Sequence, residues 1–171
     1  MAKSVDALDL GSSRAIYESS NLSRPTFAER KHMSTSVKII GEYQNDHGKW
    51  LPLNPKIVNK FWPERNQNYT TFCAWAGIRR ETAEKRVGHP ITSIAEDRRF
   101  PKDWNVKEDD DLYKIGFSNY CYGFTWMTIA EIVTYDWSVL GKESQNLGKK
   151  ALSVWPDKTQ HDKIRLVMGF D

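Results

Sequence analysis

The chain has 171 residues, 39% of them hydrophobic and 27% charged, which is enough for one domain with a buried core. Its net charge of +3 comes from 25 basic and 22 acidic residues that are interspersed, unlike the clustered coat of a nucleic-acid protein, so no stable nucleic-acid partner is expected. No apolar run approaches the ~18 residues of a membrane span and no signal peptide is visible, so no membrane partner is expected, and the location expected is the cytoplasm.

Residues 1–32 show neither a helical nor a strand period, and their polar, Ser-rich composition lacks the apolar content that offsets ordering entropy. The segment also resembles the conceptual translation of a transfer-RNA gene. Ser19-Ser20-Asn21-Leu22 can be written AGT TCG AAT CTC, which contains a T-arm sequence, and Lys3-Ser4-Val5-Asp6-Ala7-Leu8 can be written as a D arm in the same frame. The segment is read as a non-native or disordered extension, with Met33 as the native start and 33–171 as a single domain.

Val37–Gln44 has the β-branched content of a strand. Asn45-Asp46-His47-Gly48 is turn chemistry, and 49–53 is the return strand, which Pro52 confines to an edge. Asn54–Gln67 reads as a loop with one apolar patch, Phe61-Trp62. Asn68 caps a helix whose Tyr69, Phe72, Trp75 and Ala76 share a face; Glu81–Pro90 reads as charged and exposed. Lys107–Asp111 is a solvated acidic run, and 112–116 is a candidate short helix. Tyr122–Trp137 carries the clearest local signal, an aromatic strand that becomes a helix at Thr128. Thr128 and Glu131 have capping-box spacing, and Met127 and Ile132 occupy the staple positions. Ser138–Lys150 reads as a loop, and 151–155 and 163–170 as strand candidates, the last pairing inside the sheet. The expected fold is α+β: one domain, an antiparallel sheet and two main helices at 68–79 and 128–137.

The chain has no Gly-rich phosphate loop, no nucleophile elbow and no paired-His metal motif, so neither cofactor nor metal is expected. His32, His47, His89 and His161 are scattered, and Cys73 and Cys121 lie in apolar surroundings, which favours two buried thiols over the alternative of a disulfide. The informative stretch is Ile94–Trp104, where charges alternate with apolar anchors. Arg98, Arg99 and Lys102 can bind phosphate or carboxylate, and Trp104 and Trp126 can stack on a base. The plainer alternative is surface ion pairs, with Arg98 taken by Glu96 or Asp97. Glu131 is read as a cap.

Four segments, in order, resemble a group of uncharacterised phage and prophage proteins. Gln67-Asn68-Tyr69 through Ala76-Gly77-Ile78-Arg79 resembles that group's Arg-Asn-Tyr…Leu-Ala-Gly-Val-Arg helix. Ile94–Asp103 resembles its Ile-Ala-Glu-Pro-Arg-Gly-Leu-Pro-x-Asp loop. Tyr122–Trp137 resembles its strand–helix, and Arg165–Asp171 its final strand. The resemblance implies a phage origin and a shared site, adding Asn68, Tyr69 and Arg79 to the candidate residues. Tyr122 and Phe124 stand where the group carries or often carries His, and Gln67 where it carries Arg, which turns the expectation from catalysis toward binding. The function expected is sequestration of a nucleotide immune signal in the cytoplasm of a bacterial host. The alternatives are a phosphodiesterase or other hydrolase using Glu96 or Asp97 as base, or a protein–protein inhibitor of a host enzyme. The partner expected is a small nucleotide-like ligand, with a second copy of the chain left open.

Overall fold

Strand β1, Val37–Gln44, turns back on itself because Asn45 organises the connection. Its carboxamide oxygen accepts from the backbone N–H of His47 and Lys49 at 3.0 and 2.9 Å, and Gly48 takes the positive φ of 75° that closes the turn. Strand β2, Trp50–Pro52, returns as the sheet edge, where the missing N–H of Pro52 is tolerated. These elements belong to the unit Ser34–Asp171 of a computed structural model, which describes residues 35–63, 68–96, 98–104, 121–142 and 144–171. The extension at 1–32, the acidic run at 107–111 and the candidate helix at 112–116 lie outside the described residues.

Four antiparallel strands follow the order β2-β1-β4-β3, with β3 at Tyr122–Thr128 and β4 at Ile164–Phe170. The C-terminal strand therefore sits between β1 and β3, and all seven of its residues are buried. One face of the sheet carries the main core. Helix α2, Tyr69–Ala76, lays Phe72 and Trp75 there, and Phe72 meets Phe170 edge-on at 5.4 Å. Asn68 caps this helix by accepting from the Thr71 N–H, and Gly77 ends it at φ 71°.

The strand-to-helix switch at Thr128 forms as its spacing requires. The Thr128 hydroxyl accepts from the Glu131 N–H at 3.2 Å, and the Glu131 carboxylate accepts from the Thr128 N–H at 2.9 Å. Met127 and Ile132, the staple pair, are fully buried in the same core. The resulting helix spans Ile129–Thr134, and a separate 3-10 turn, Trp137–Val139, follows with Asp136 as its cap.

Three further helices replace segments read as loop, exposed chain or strand. Pro55–Phe61 is helix α1, started by the Asn54 side chain and Pro55 in the first turn. Phe61 and Trp62 are buried by it, and Trp62 meets the Trp75 ring at 4.6 Å. Arg80–Val87 is helix α3, which buries only Ala83 completely, so its charges do stay outside. With Ile129–Thr134 as α4, the strand candidate 151–155 falls largely within helix α5, Leu147–Val154. Leu147, Gly148 and Ala151 share its buried side. Gly148 lies against the Trp137 ring, where a Cβ would come within 3.0 Å. Cys73 is buried and Cys121 half-buried. No helix among the described residues is long and apolar enough to cross a membrane.

Candidate functional site

The second face of the sheet bears the unusual chemistry. Strand alternation turns Ile40 and Glu42 of β1, and Arg165 and Val167 of β4, away from the main core. Register then sets Ile40 beside Val167, Glu42 beside Arg165, and Trp126 of β3 beside Val167. Over these strands lies the loop Arg98–Trp104. Its Phe100 stacks on Phe124 at 4.4 Å and on Trp104 at 5.6 Å, and the cluster includes Cys121 and Trp126. The apolar members of the loop tie it to the sheet, as their interleaving with charges predicts.

Arg165 is the centre of this face. Its Nε donates to Glu42 Oε2 at 2.7 Å and its Nη1 to Asp103 Oδ1 at 2.6 Å. The guanidinium lies 4.0 Å from the centre of the Trp50 ring and 5.8 Å from that of Trp126. Arg165 and Glu42 are 2% and 1% exposed, so both ions have left water. Burial pushes the Glu42 carboxyl above its usual range, ahead of the lowering by Arg165. Nη2 of Arg165 is buried and has no hydrogen-bond partner among the described residues. An unsatisfied buried donor costs roughly 1–3 kcal/mol, and a charged one more.

Arg98 occupies the rim. Its Nη2 and Nη1 donate to the two carboxylate oxygens of Glu131 at 2.7 and 3.0 Å, and Nη2 also donates to the Ile94 carbonyl at 3.0 Å. Its guanidinium lies 5.3 Å from the Trp126 ring centre. Glu131 therefore caps α4 and fixes Arg98 together. Burial raises the Glu131 carboxyl, but the hydrogen bonds from Arg98 and Thr128 outweigh it and leave the group below its ordinary value. Arg98 does not pair with Glu96: that carboxylate bonds Arg80, where α2 and α3 meet.

The sequence-predicted residues thus fall into two groups. Arg98, Trp104 and Trp126 come together on the second sheet face, with Arg99 and Lys102 exposed on the same loop and Arg99 at φ 60°. Asn68, Tyr69 and Arg79 gather around α2 instead. Asn68 is buried, donating to Ser144 Oγ at 3.2 Å and accepting from Thr70 Oγ1 at 2.7 Å. Arg79 donates to Thr35 Oγ1 at 2.8 Å, and Arg79 and Arg86 flank the Tyr69 ring at 5.8 and 5.4 Å. Sequence reading missed Glu42, Trp50 and Arg165. The available signal was Arg165, the lone charge of the apolar β4, and Glu42 at an alternating position of β1: opposite charges there mark a paired, buried cross-strand couple. Comparison of the chain with protein-family models, with curated proteins and with solved structures found no match.

Proposed function

We propose that the protein is a phage-encoded binder of a small nucleotide-like ligand, which it sequesters from the immune signalling of the bacterial host. The observation that carries this reading is the pair of guanidiniums set against one indole. Arg98 and Arg165 both lie against Trp126, at 5.3 and 5.8 Å from its ring centre. A base needs an aromatic surface, worth about 1–3 kcal/mol per stacked base, and a phosphate needs guanidinium donors. Binding of this kind requires no nucleophile. The phage setting rests on the sequence resemblance, and the cytoplasm is where such a signal would be met.

A ligand-depletion assay over cyclic dinucleotides and ADP-ribose derivatives tests the reading. The binder removes the nucleotide from solution and returns it intact when the protein is denatured. Return of cleaved product identifies a hydrolase instead. Retention of no nucleotide, together with capture of a host enzyme, identifies a protein–protein inhibitor.

A further inference from the structure

The buried guanidinium at the centre of the second sheet face is shared by two carboxylates of different standing. Glu42 is 1% exposed and cannot trade its partner for water. The Asp103 side chain is 55% exposed and belongs to a surface loop, so water is available to it as an alternative. Asp103 engages only Nη1, at 2.6 Å, while the neighbouring Nη2 stays buried and unsatisfied among the described residues. Nη1 and Nη2 form the outer edge of the planar fork, the edge that binds carboxylate or phosphate through two parallel hydrogen bonds. The Arg165 guanidinium lies 4.0 Å from the centre of the Trp50 ring on β2, and Trp126 stands on β3, which neighbours β4.

We propose that Asp103 is a built-in competitor that holds the place of a ligand anion. In the free protein its carboxylate occupies half of the Arg165 outer edge. A ligand bearing a carboxylate or phosphate beside a planar ring takes Nη1 and Nη2 together, satisfies the orphan donor, and releases Asp103 to solvent. The loop 98–104 is then freed at that end while Phe100 still anchors it on Phe124. This inference rests on the binding reading above and specifies the anionic group, its two acceptor oxygens and the residue it displaces.

Phenyl phosphate and benzoate are suitable probes, since each joins one planar ring to one of the two anions. Calorimetric titration of the full chain is expected to give weak binding to the parent protein and binding about ten-fold tighter to Asp103→Asn, which keeps the side-chain shape and removes the competing charge. Lys102→Ala, which removes a positive charge from the same loop, is expected to lower affinity. Tightening for one probe alone identifies the anion the site takes. Hydrogen exchange on the parent protein needs no variant: saturating probe is expected to speed exchange at Asp103 and at Trp104, whose N–H donates to the Pro101 carbonyl at 3.0 Å. Unchanged or weaker affinity in a folded Asp103→Asn protein, or slower exchange at these amides, would make Asp103 a plain pin for the loop and overturn the proposal. That failure leaves the nucleotide-depletion result standing, whereas a parent that retains no nucleotide while Asp103→Asn still tightens on the probes removes the nucleotide reading alone.

Discussion

Arg98 reaches two neighbours at once, the Trp126 ring at 5.3 Å and the Glu131 carboxylate at 2.7 Å. A loop Arg beside Trp126 is what the interleaved Ile94–Trp104 stretch predicts, but its fork lies on Glu131, the helix cap. On the proposed function, Arg98→Ala is expected to weaken nucleotide retention about ten-fold or more, because a guanidinium–phosphate contact contributes about 1.5–3 kcal/mol. It should also lower stability by up to about 1 kcal/mol through the half-exposed ion pair. Arg98→Lys should recover little binding, since an ammonium lacks the planar fork. Equal calorimetric titrations of Arg98→Ala and the parent would remove Arg98 from the site. Glu131 supplies a pH test. Its folded value lies below the ordinary 4.5, so its contribution is present above that pH and is lost as pH falls through the folded value. Glu42 has the opposite sign: its folded value is raised, so its contribution is present below 4.5 and is lost as pH rises through the folded value. Urea midpoints measured from about pH 3 to 7 should show a shallower acid decline for Glu131→Gln than for the parent. A parallel decline in the two proteins would mean that Glu131 is not a source of the acid sensitivity.

At the scale of elements, caps and turns decide where chain direction changes. Thr128→Ala removes the acceptor for the Glu131 N–H and is expected to cost about 0.5–2 kcal/mol in chemical denaturation. Ligand retention by the folded fraction should survive, because Thr128 acts through the helix start; loss of retention in the folded variant would place Thr128 in the site. Gly77 ends α2 with φ 71°, and a Cβ there would stand 2.7 Å from the Glu96 carboxyl carbon. Gly77→Ala should therefore destabilise by more than about 1 kcal/mol, combining left-handed strain with displacement of Glu96 from Arg80. An unchanged denaturation midpoint would show that the turn accommodates both. The missed helices have a common cause. α1 and α5 are short, and the Pro and Gly content around them resembles loop composition. Their identity follows from burial of Phe61, Trp62, Leu147 and Ala151 in one core, a constraint that lies far from them in sequence.

Across the whole molecule, β4 joins the two faces of the sheet. Phe170 packs on Phe72 in the main core, while Arg165 meets Glu42 on the opposite side. Phe170→Ala should cost about 3–5 kcal/mol, as large-to-small changes in aromatic cores do, and thermal unfolding that stays within a degree of the parent would show that this contact is dispensable. The sequence by itself determined the β1–β2 hairpin, the Asn68 and Thr128 caps, the strand-to-helix switch and the interior place of the last strand. Each of these depends on residues close in the chain or on a strand's own apolar content, and local hydrogen bonding or period is enough to specify it. Only the tertiary structure decided that Arg98 would meet Glu131, and that Glu42, Asp103 and Arg165 would share one guanidinium. Those partners lie 33, 62 and 123 residues apart, and strand register and loop docking alone bring them within hydrogen-bond reach.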